Sequence, residues 1–200
     1  MKLTYHGHSC FTLDFDGYKI VVDPFNEVPG YEPYTLEANE ILPSHDHFDH
    51  NYVEAVKVTP ADRPEGLKIT EIHSFHDPEG GKLRGENILR IFEYKGLRVM
   101  HAGDIGVHPT PEQTELMKNL DVLMIPTGGT FTLNEKESKV FAEEIGAKVV
   151  VPMHYRNGKY GFDVISTLDD FVKLYDHVNY AEGSYEFTGK EDPQVLVFKF

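Results

Sequence analysis

Within the stretch Ser44-His45-Asp46-His47-Phe48-Asp49-His50, three imidazoles and two carboxylates fall in six consecutive residues. The pattern His-x-His-x-Asp-His reads as a metal site. His45 and His47 are two apart, so on an extended segment both rings point the same way and can grip one ion. Asp49 and His50 follow where the chain is expected to turn into a short helix over residues 51–56. Adjacent residues on a bending backbone point in different directions, which suits a second ion. The preceding Glu40-Ile41-Leu42-Pro43 reads as the end of a buried strand, and strand-end loops are where sites are usually built. The alternative, a run of surface histidines bonding only water, leaves the spacing unexplained. A complete site requires further ligands from elsewhere in the chain.

The 200 residues fit one domain spanning 1–200, long enough to bury a core in which 13 Phe and 11 Tyr carry packing in the absence of Trp. The net charge of −14 repels nucleic acid and anionic membranes even after two divalent ions are added, so a small molecule is the expected partner. The single Cys10 excludes a disulfide framework and a thiolate metal cluster, and it reads as a small buried apolar residue. The N-terminal residues lack the apolar core of a signal peptide, and no apolar run reaches the length of a membrane span. A reducing, cytoplasmic location is expected.

The chain opens with three strands before Asp23, the second and third joined by an Asp16-Gly17 turn. Asp23 ends the third strand, where its carboxylate is either a turn residue or a partner that orients a histidine of the cluster. Residues 25–39 are rich in Pro and Gly and read as a loop, whose Phe25, Tyr31 and Tyr34 either roof the site or pin the loop to the body. Beyond a proline-punctuated connector, a strand delivers His73 and His76. A hairpin through Lys95-Gly96 then leads to Ala102-Gly103-Asp104. The rest alternates helix and strand: a helix capped by Thr110 over 110–119, a buried strand at 122–126, and a helix from Asn134 whose inward face carries Val140, Phe141 and Ile145. A buried strand ending at His154-Tyr155, a helix over 166–174 and strands near 178–181 and 194–198 complete the order.

Strand ends thus deliver Asp23, His45 to His50, His76, Asp104 and His154 in turn. That order resembles the metallo-β-lactamase superfamily over nearly the whole chain. Gly7-His8-Ser9-Cys10-Phe11, His101-Ala102-Gly103-Asp104, Pro126-Thr127-Gly128-Gly129-Thr130 and Pro152-Met153-His154-Tyr155 look most like its small ascorbate-6-phosphate-lactonase-like hydrolases. The resemblance implies an α/β (α+β) fold, a four-layer αββα sandwich with a dinuclear site along one edge. It implies that His45, His47 and His76 hold the first metal, that Asp49, His50 and His154 hold the second, and that Asp104 and a water-derived hydroxide bridge the two. His76 is preferred over the nearby His73 because it lies beyond the strand, beside Asp77 and a glycine-rich turn.

Two divalent ions make a nucleophile of water at neutral pH and polarise the bond under attack. The expected activity is hydrolysis of a small ester, lactone or phosphorylated metabolite. His8, Tyr155 and Asp49 are the candidate proton donors, and Arg156, Lys159, Lys82 and Arg84 are candidates to meet an anionic group. All-nitrogen-and-oxygen ligation suits zinc, manganese and iron; zinc is the first choice. The competing readings are a phosphodiesterase or nuclease, opposed by the acidic charge, and a non-catalytic metal-dependent ligand-binding protein.

Overall fold

The computed structural model describes residues 1–199. Three strands, β1 (Lys2–Gly7), β2 (Cys10–Phe15) and β3 (Tyr18–Val22), form an antiparallel meander. Its second turn is the expected Asp16-Gly17, with both residues at positive φ (56° and 97°), the geometry a two-residue hairpin requires. Strand β4 (Leu36–Ala38) follows, then β5 (Glu40–Leu42), which runs parallel to β3, and β6 (Val56–Val58), which pairs with β4 in a two-stranded ribbon. Next come β7 (Lys68–Phe75), β8 (Glu86–Tyr94), β9 (Leu97–His101), α1 (Pro111–Met117), β10 (Val122–Pro126), α2 (Glu135–Ile145), β11 (Val149–Met153) and α3 (Leu168–Val172). β12 (Val178–Glu182), β13 (Ser184–Glu186) and β14 (Gln194–Lys199) close the described chain.

Two sheets result, one of five strands ordered β13-β1-β2-β3-β5 and one of seven ordered β12-β14-β11-β10-β9-β8-β7. Alternation along each strand explains why they stack. Phe11, Leu13, Ile20 and Val22 of the first sheet meet Phe92, Val99, Met124 and Val151 of the second in one apolar core. The opposite faces of the same second-sheet strands offer Leu89, Ile91, Met100, Leu123 and Val150, and these are covered with Phe141, Ile145 and Phe171 of the helices. The outer face of the first sheet carries Cys10 and Val21 and is covered by Phe25, Val28, Ala38 and Val56. Its outer layer is therefore a loop and the β4–β6 ribbon.

That layer departs from the sequence expectation in two places. Residues 51–56 form a single 3-10 turn, Val53–Ala55, leading directly into β6, and residues 25–39 contain β4. The short segment has β-branched Val53, Val56 and Val58, and pairing with β4 overrides a marginal helix. In α2 the buried stripe is Ser138, Phe141, Ala142 and Ile145, whereas Val140, expected inward, is turned away and 54% exposed. Strand β13, unanticipated, pairs with β1 and ties the C-terminal part of the chain into the first sheet.

The two sheets are also stitched at one edge by polar contacts. Arg90 of β8, buried, donates through Nη1 to the carbonyls of Leu42 (3.1 Å) and Pro43 (2.6 Å) at the end of β5. The Ile88 N–H donates to Ser44 (3.0 Å), the His154 N–H to the carbonyl of His8 (3.0 Å), and His101 Nε2 bonds the Ser9 carbonyl (2.9 Å). Among the described residues no helix is long and apolar enough to cross a membrane.

Candidate metal centre

The carboxy-terminal ends of β1, β3, β5, β7, β9 and β11 converge on that edge and deliver His8, Asp23, the His45–His50 segment, His76, Asp104 and His154. Three of these residues, His8 (φ 51°), Asp23 (46°) and His154 (51°), take left-handed backbone conformations that side chains other than Gly seldom adopt. Each turns the chain sharply as its strand ends, so the side chain points across the edge instead of continuing the pleat.

Two groups of donors flank Asp104, and a third set, Asp23, His45 and His50, overlaps them. His45, His47 and His76 form one, and His8, Asp49, His50 and His154 the other, with all donor atoms in each within 4.8 Å of one another. Asp104, buried, lies between them: its Oδ2 is 3.1 Å from Nε2 of His76 in the first group and 3.1 Å from Nε2 of both His50 and His154 in the second. His73, in contrast, is exposed on β7, because odd positions near the end of that strand face solvent. The structure thus brings His76, and not His73, into the cluster, and it adds His8 to the second group.

Surrounding residues fix the rings. Asp23 Oδ2 is 2.7 Å from His50 Nδ1, which leaves Nε2 aimed at the centre, and Asp23 itself accepts from the Ser44 N–H (2.6 Å) and Ser44 Oγ (2.7 Å). His45 Nδ1 contacts Ser44 Oγ (2.9 Å), and His76 Nδ1 bonds the Phe131 carbonyl (3.0 Å). His8 Nε2 is 3.3 Å from Asp49 Oδ2. Asn87 holds the Asp104 turn from both sides: its Oδ1 accepts from the Asp104 N–H (2.9 Å) and its Nδ2 donates to the Ala102 carbonyl (2.9 Å).

The charges follow from this packing. Burial pushes His45 down to about 3 and His8 down to about 4, with His50 and His154 respectively adding to the effect. His50 is opposite in sign: burial lowers its pKa, but Asp104 and Asp23 outweigh it and hold the ring well above its ordinary value. Burial raises Asp23, yet His101 and His50 bring it down to about 2, and Asp104 is likewise held well below the usual range by His154 and His50.

The donor set fits divalent cations. His45 Nε2, His50 Nε2 and Asp104 Oδ1 are all buried without a hydrogen-bond partner among the described residues. Three orphaned polar atoms in one cluster of imidazoles and carboxylates would be costly unless an ion satisfies them.

Tyr155 requires a correction. Although it follows His154, its side chain is buried on the other side of the turn with Tyr5 and Tyr31 and lines a separate cleft, away from the metal-side cavity. Burial also pushes its hydroxyl pKa up, which opposes a role in proton transfer at neutral pH. Of the four candidate cations only Arg84 lines the cavity; Lys159 belongs to the clefts around Tyr160. The aromatic loop pins and does not roof: Phe25 packs on Tyr31 and Tyr34 (centroids 5.1 and 4.9 Å), and Tyr31 Oη accepts from the His8 N–H. Cys10 is fully buried, and burial raises its thiol pKa, so it is inert.

Sequence reasoning did not find the supporting roles of Ser44 and Asn87. Ser44 adjoins the motif and was legible by position. Asn87 carried no signal, because its partners are backbone groups fifteen and seventeen residues away.

A two-sheet sandwich with a His/Asp cluster across one edge defines a metallohydrolase fold class, and the known proteins agree. Residues 2–154 match the family described as Beta-lactamase superfamily domain. A UPF0173 metal-dependent hydrolase of Methanoregula boonei is 30% identical over 186 residues, covering 78% of this chain and 82% of the relative. A crystal structure from Thermotoga maritima, assigned as a Zn-dependent hydrolase of the metallo-β-lactamase superfamily, is 35% identical with a TM-score of 0.78, covering 98% of this chain and 97% of that one. Igni18, a metallo hydrolase from Ignicoccus hospitalis, shares the fold at 22% identity and a TM-score of 0.65, over 94% of this chain and 99% of its own. The chain belongs to the metallo-β-lactamase superfamily, among its metal-dependent hydrolases.

Proposed function

We propose that this protein is a binuclear metal-dependent hydrolase of a small, anionic ester, lactone or phosphorylated molecule, with zinc the first choice of metal and manganese or iron the alternatives. The observation that carries the reading is Asp104, whose single Oδ2 lies 3.1 Å from imidazole nitrogens of both donor groups. A carboxylate so placed suits two ions sharing one bridge. His45, His47 and His76 would hold the first ion and Asp49, His50 and His154 the second. Divalent ions there supply water activation near neutral pH and polarise the carbonyl or phosphoryl group under attack.

The chain's own residues handle protons and position. Asp49, whose Oδ2 stands 3.3 Å from His8 Nε2, is fixed within the second donor group, and to it falls the passage of a proton from the attacking water to the departing oxygen. His8 thereby orients Asp49, and Asp23 does the same for His50. The inert, unpaired Cys10 is compatible with a reducing cytoplasm.

The test is to load the purified protein with zinc, manganese or iron in turn, count bound metal, and assay lactones, carboxylic esters, phosphomonoesters and phosphodiesters beside Asp104→Ala. Two ions per chain with metal-dependent turnover lost in the variant are expected. A single ion with no turnover on any substrate rejects the reading.

A further inference from the structure

The cavity beside the donor cluster holds about 570 Å³, and besides the donor residues it is lined by Asp46, Phe48, Leu83, Arg84, Phe131 and Phe162. Leu83 is 66% exposed and Phe48 58% exposed, yet both face this one space. Large apolar side chains held in water at the mouth of a cavity lose solvation free energy that a ligand's apolar surface would recover. Phe131 and Phe162 meet edge to face at 6.4 Å and continue the same wall inward, where Phe162 packs against His8 at 5.7 Å.

Arg84 is the only cation on the wall. Its guanidinium lies 5.5 Å from the centroid of Phe131, half-buried, and among the described residues it has no carboxylate partner, although the chain holds 33 acidic residues. The segment carrying Leu83 and Arg84 is fixed in advance. The buried Asp77 carboxylate accepts from the N–H groups of Glu79 (2.8 Å), Gly81 (3.1 Å), Leu83 (3.0 Å) and Arg84 (2.8 Å). A wall held this way recognises a shape without having to be ordered by it.

Resting on the hydrolase reading above, we infer that the substrate is an amphipathic anion: a carboxylic ester or lactone whose apolar alkyl or aryl body lies against Phe48, Leu83, Phe131 and Phe162, and whose negative substituent meets Arg84. A sugar phosphate is the poorer fit, because its hydroxyls need several polar partners and this wall offers one cation, no hydroxyl or amide side chain, and the single carboxylate of Asp46, which already accepts from Asn51 Nδ2 (2.8 Å). Hydrolysis is balanced by water alone. The water oxygen joins the acyl carbon and the acyl C–O bond breaks; one water proton goes to the alkoxide, which departs as the alcohol of an ester or stays as the hydroxyl of the opened lactone, and the other remains with the carboxylic acid or is released to solvent.

Two substrate series test this on the metal-loaded protein. Along p-nitrophenyl esters from acetate to octanoate, kcat/KM is expected to rise about three- to fourfold per methylene. The slope should flatten in Leu83→Ser and Phe48→Ser, positions exposed enough to leave the core intact. The p-nitrophenyl monoester of adipic acid, compared with p-nitrophenyl hexanoate, reports on Arg84: the adipate-to-hexanoate ratio should fall by about tenfold or more in Arg84→Met. A flat chain-length series in the unmodified protein, or a slope and ratio that the variants leave in place, overturns the inference. Turnover of phosphoesters but of no carboxylic ester or lactone also overturns it, whereas absence of turnover on every substrate class with full metal occupancy rejects the hydrolase reading alone. Titration calorimetry with acetate to octanoate then decides the inference separately: Kd tightening by the same factor per methylene, lost in the Phe48→Ser/Leu83→Ser double variant, supports it, and a Kd independent of chain length overturns it.

Discussion

Gly103 precedes the central carboxylate, and its replacement by Ala isolates what the close packing of the site contributes. The residue has φ +53°, and a Cβ built there would lie 2.2 Å from Asn87 Oδ1 and 2.6 Å from Ser44 Cβ. The left-handed backbone alone costs Ala about 1–2 kcal/mol. Relief of the clash requires Asn87 to move, which removes the acceptor of the buried Asp104 N–H; an unsatisfied group of that kind costs about 1–3 kcal/mol, and the overpacking a similar amount. The expected loss is about 3–8 kcal/mol, a fall in Tm of roughly 6–32 °C for a chain of this size. Gly146 provides the control, since its φ is +65° and nothing lies within 4 Å of its would-be Cβ, so Gly146→Ala pays for strain only, about 1–2 kcal/mol. Urea unfolding of both variants after chelator treatment separates the packing contribution from any change in metal binding, provided m stays constant. Equal losses at the two glycines would refute the claim that close approach, and not backbone conformation, fixes Gly103.

Asp23→Asn should weaken metal binding at the His50 donor group by about 10–100-fold in chelator competition, because His50 loses the carboxylate that orients it; unchanged affinity would remove Asp23 from the site. Asp77→Asn turns an acceptor-only group into one that presents N–H donors to a segment offering four of its own, and should cost about 2–4 kcal/mol. Faster tryptic cleavage at Lys82 and Arg84 checks this prediction, and an unchanged digestion rate contradicts it. Asp170 tests electrostatics remote from the metals: Lys173 first, then Thr167 at the start of α3, bring its carboxyl down to about 2. A depressed carboxyl stabilises fully above its unfolded value near about 4 and loses that contribution as pH falls towards about 2. The stability deficit of Asp170→Asn should therefore shrink between pH 5 and pH 2.5, and a deficit constant over that range would exclude the pair as its source.

Legibility in the sequence followed the range of the interactions. The His45–His50 run, the strand-ending Asp104 and His154, and the helix caps at Thr110 and Asn134 were readable because each is a local pattern, and the caps occur as anticipated, with Gln113 and Glu137 completing both boxes. The β4–β6 ribbon was hidden because its strands are three residues each and depend on one another across twenty positions. Tyr155 misled for a geometric reason: adjacency to His154 says nothing about direction when His154 itself adopts φ +51°, and the next side chain turns into the Tyr5–Tyr31 cluster.

The same backbone feature accounts for how the site is held. His8 and His154 are both in the left-handed region, and each such residue is expected to cost about 1–3 kcal/mol when nothing compensates. Here the two strained turns satisfy one another: the His154 N–H donates to the His8 carbonyl at 3.0 Å, and Tyr5 Oη donates to the same oxygen at 3.0 Å. One turn belongs to the first sheet and the other to the second, so the bond that offsets the strain also sets the distance between the sheets where their donors meet. The rings stand 4.2 Å apart as a result. A shift of either sheet would break that bond and open the second donor group together, which couples the integrity of the sandwich to the geometry of the metal centre.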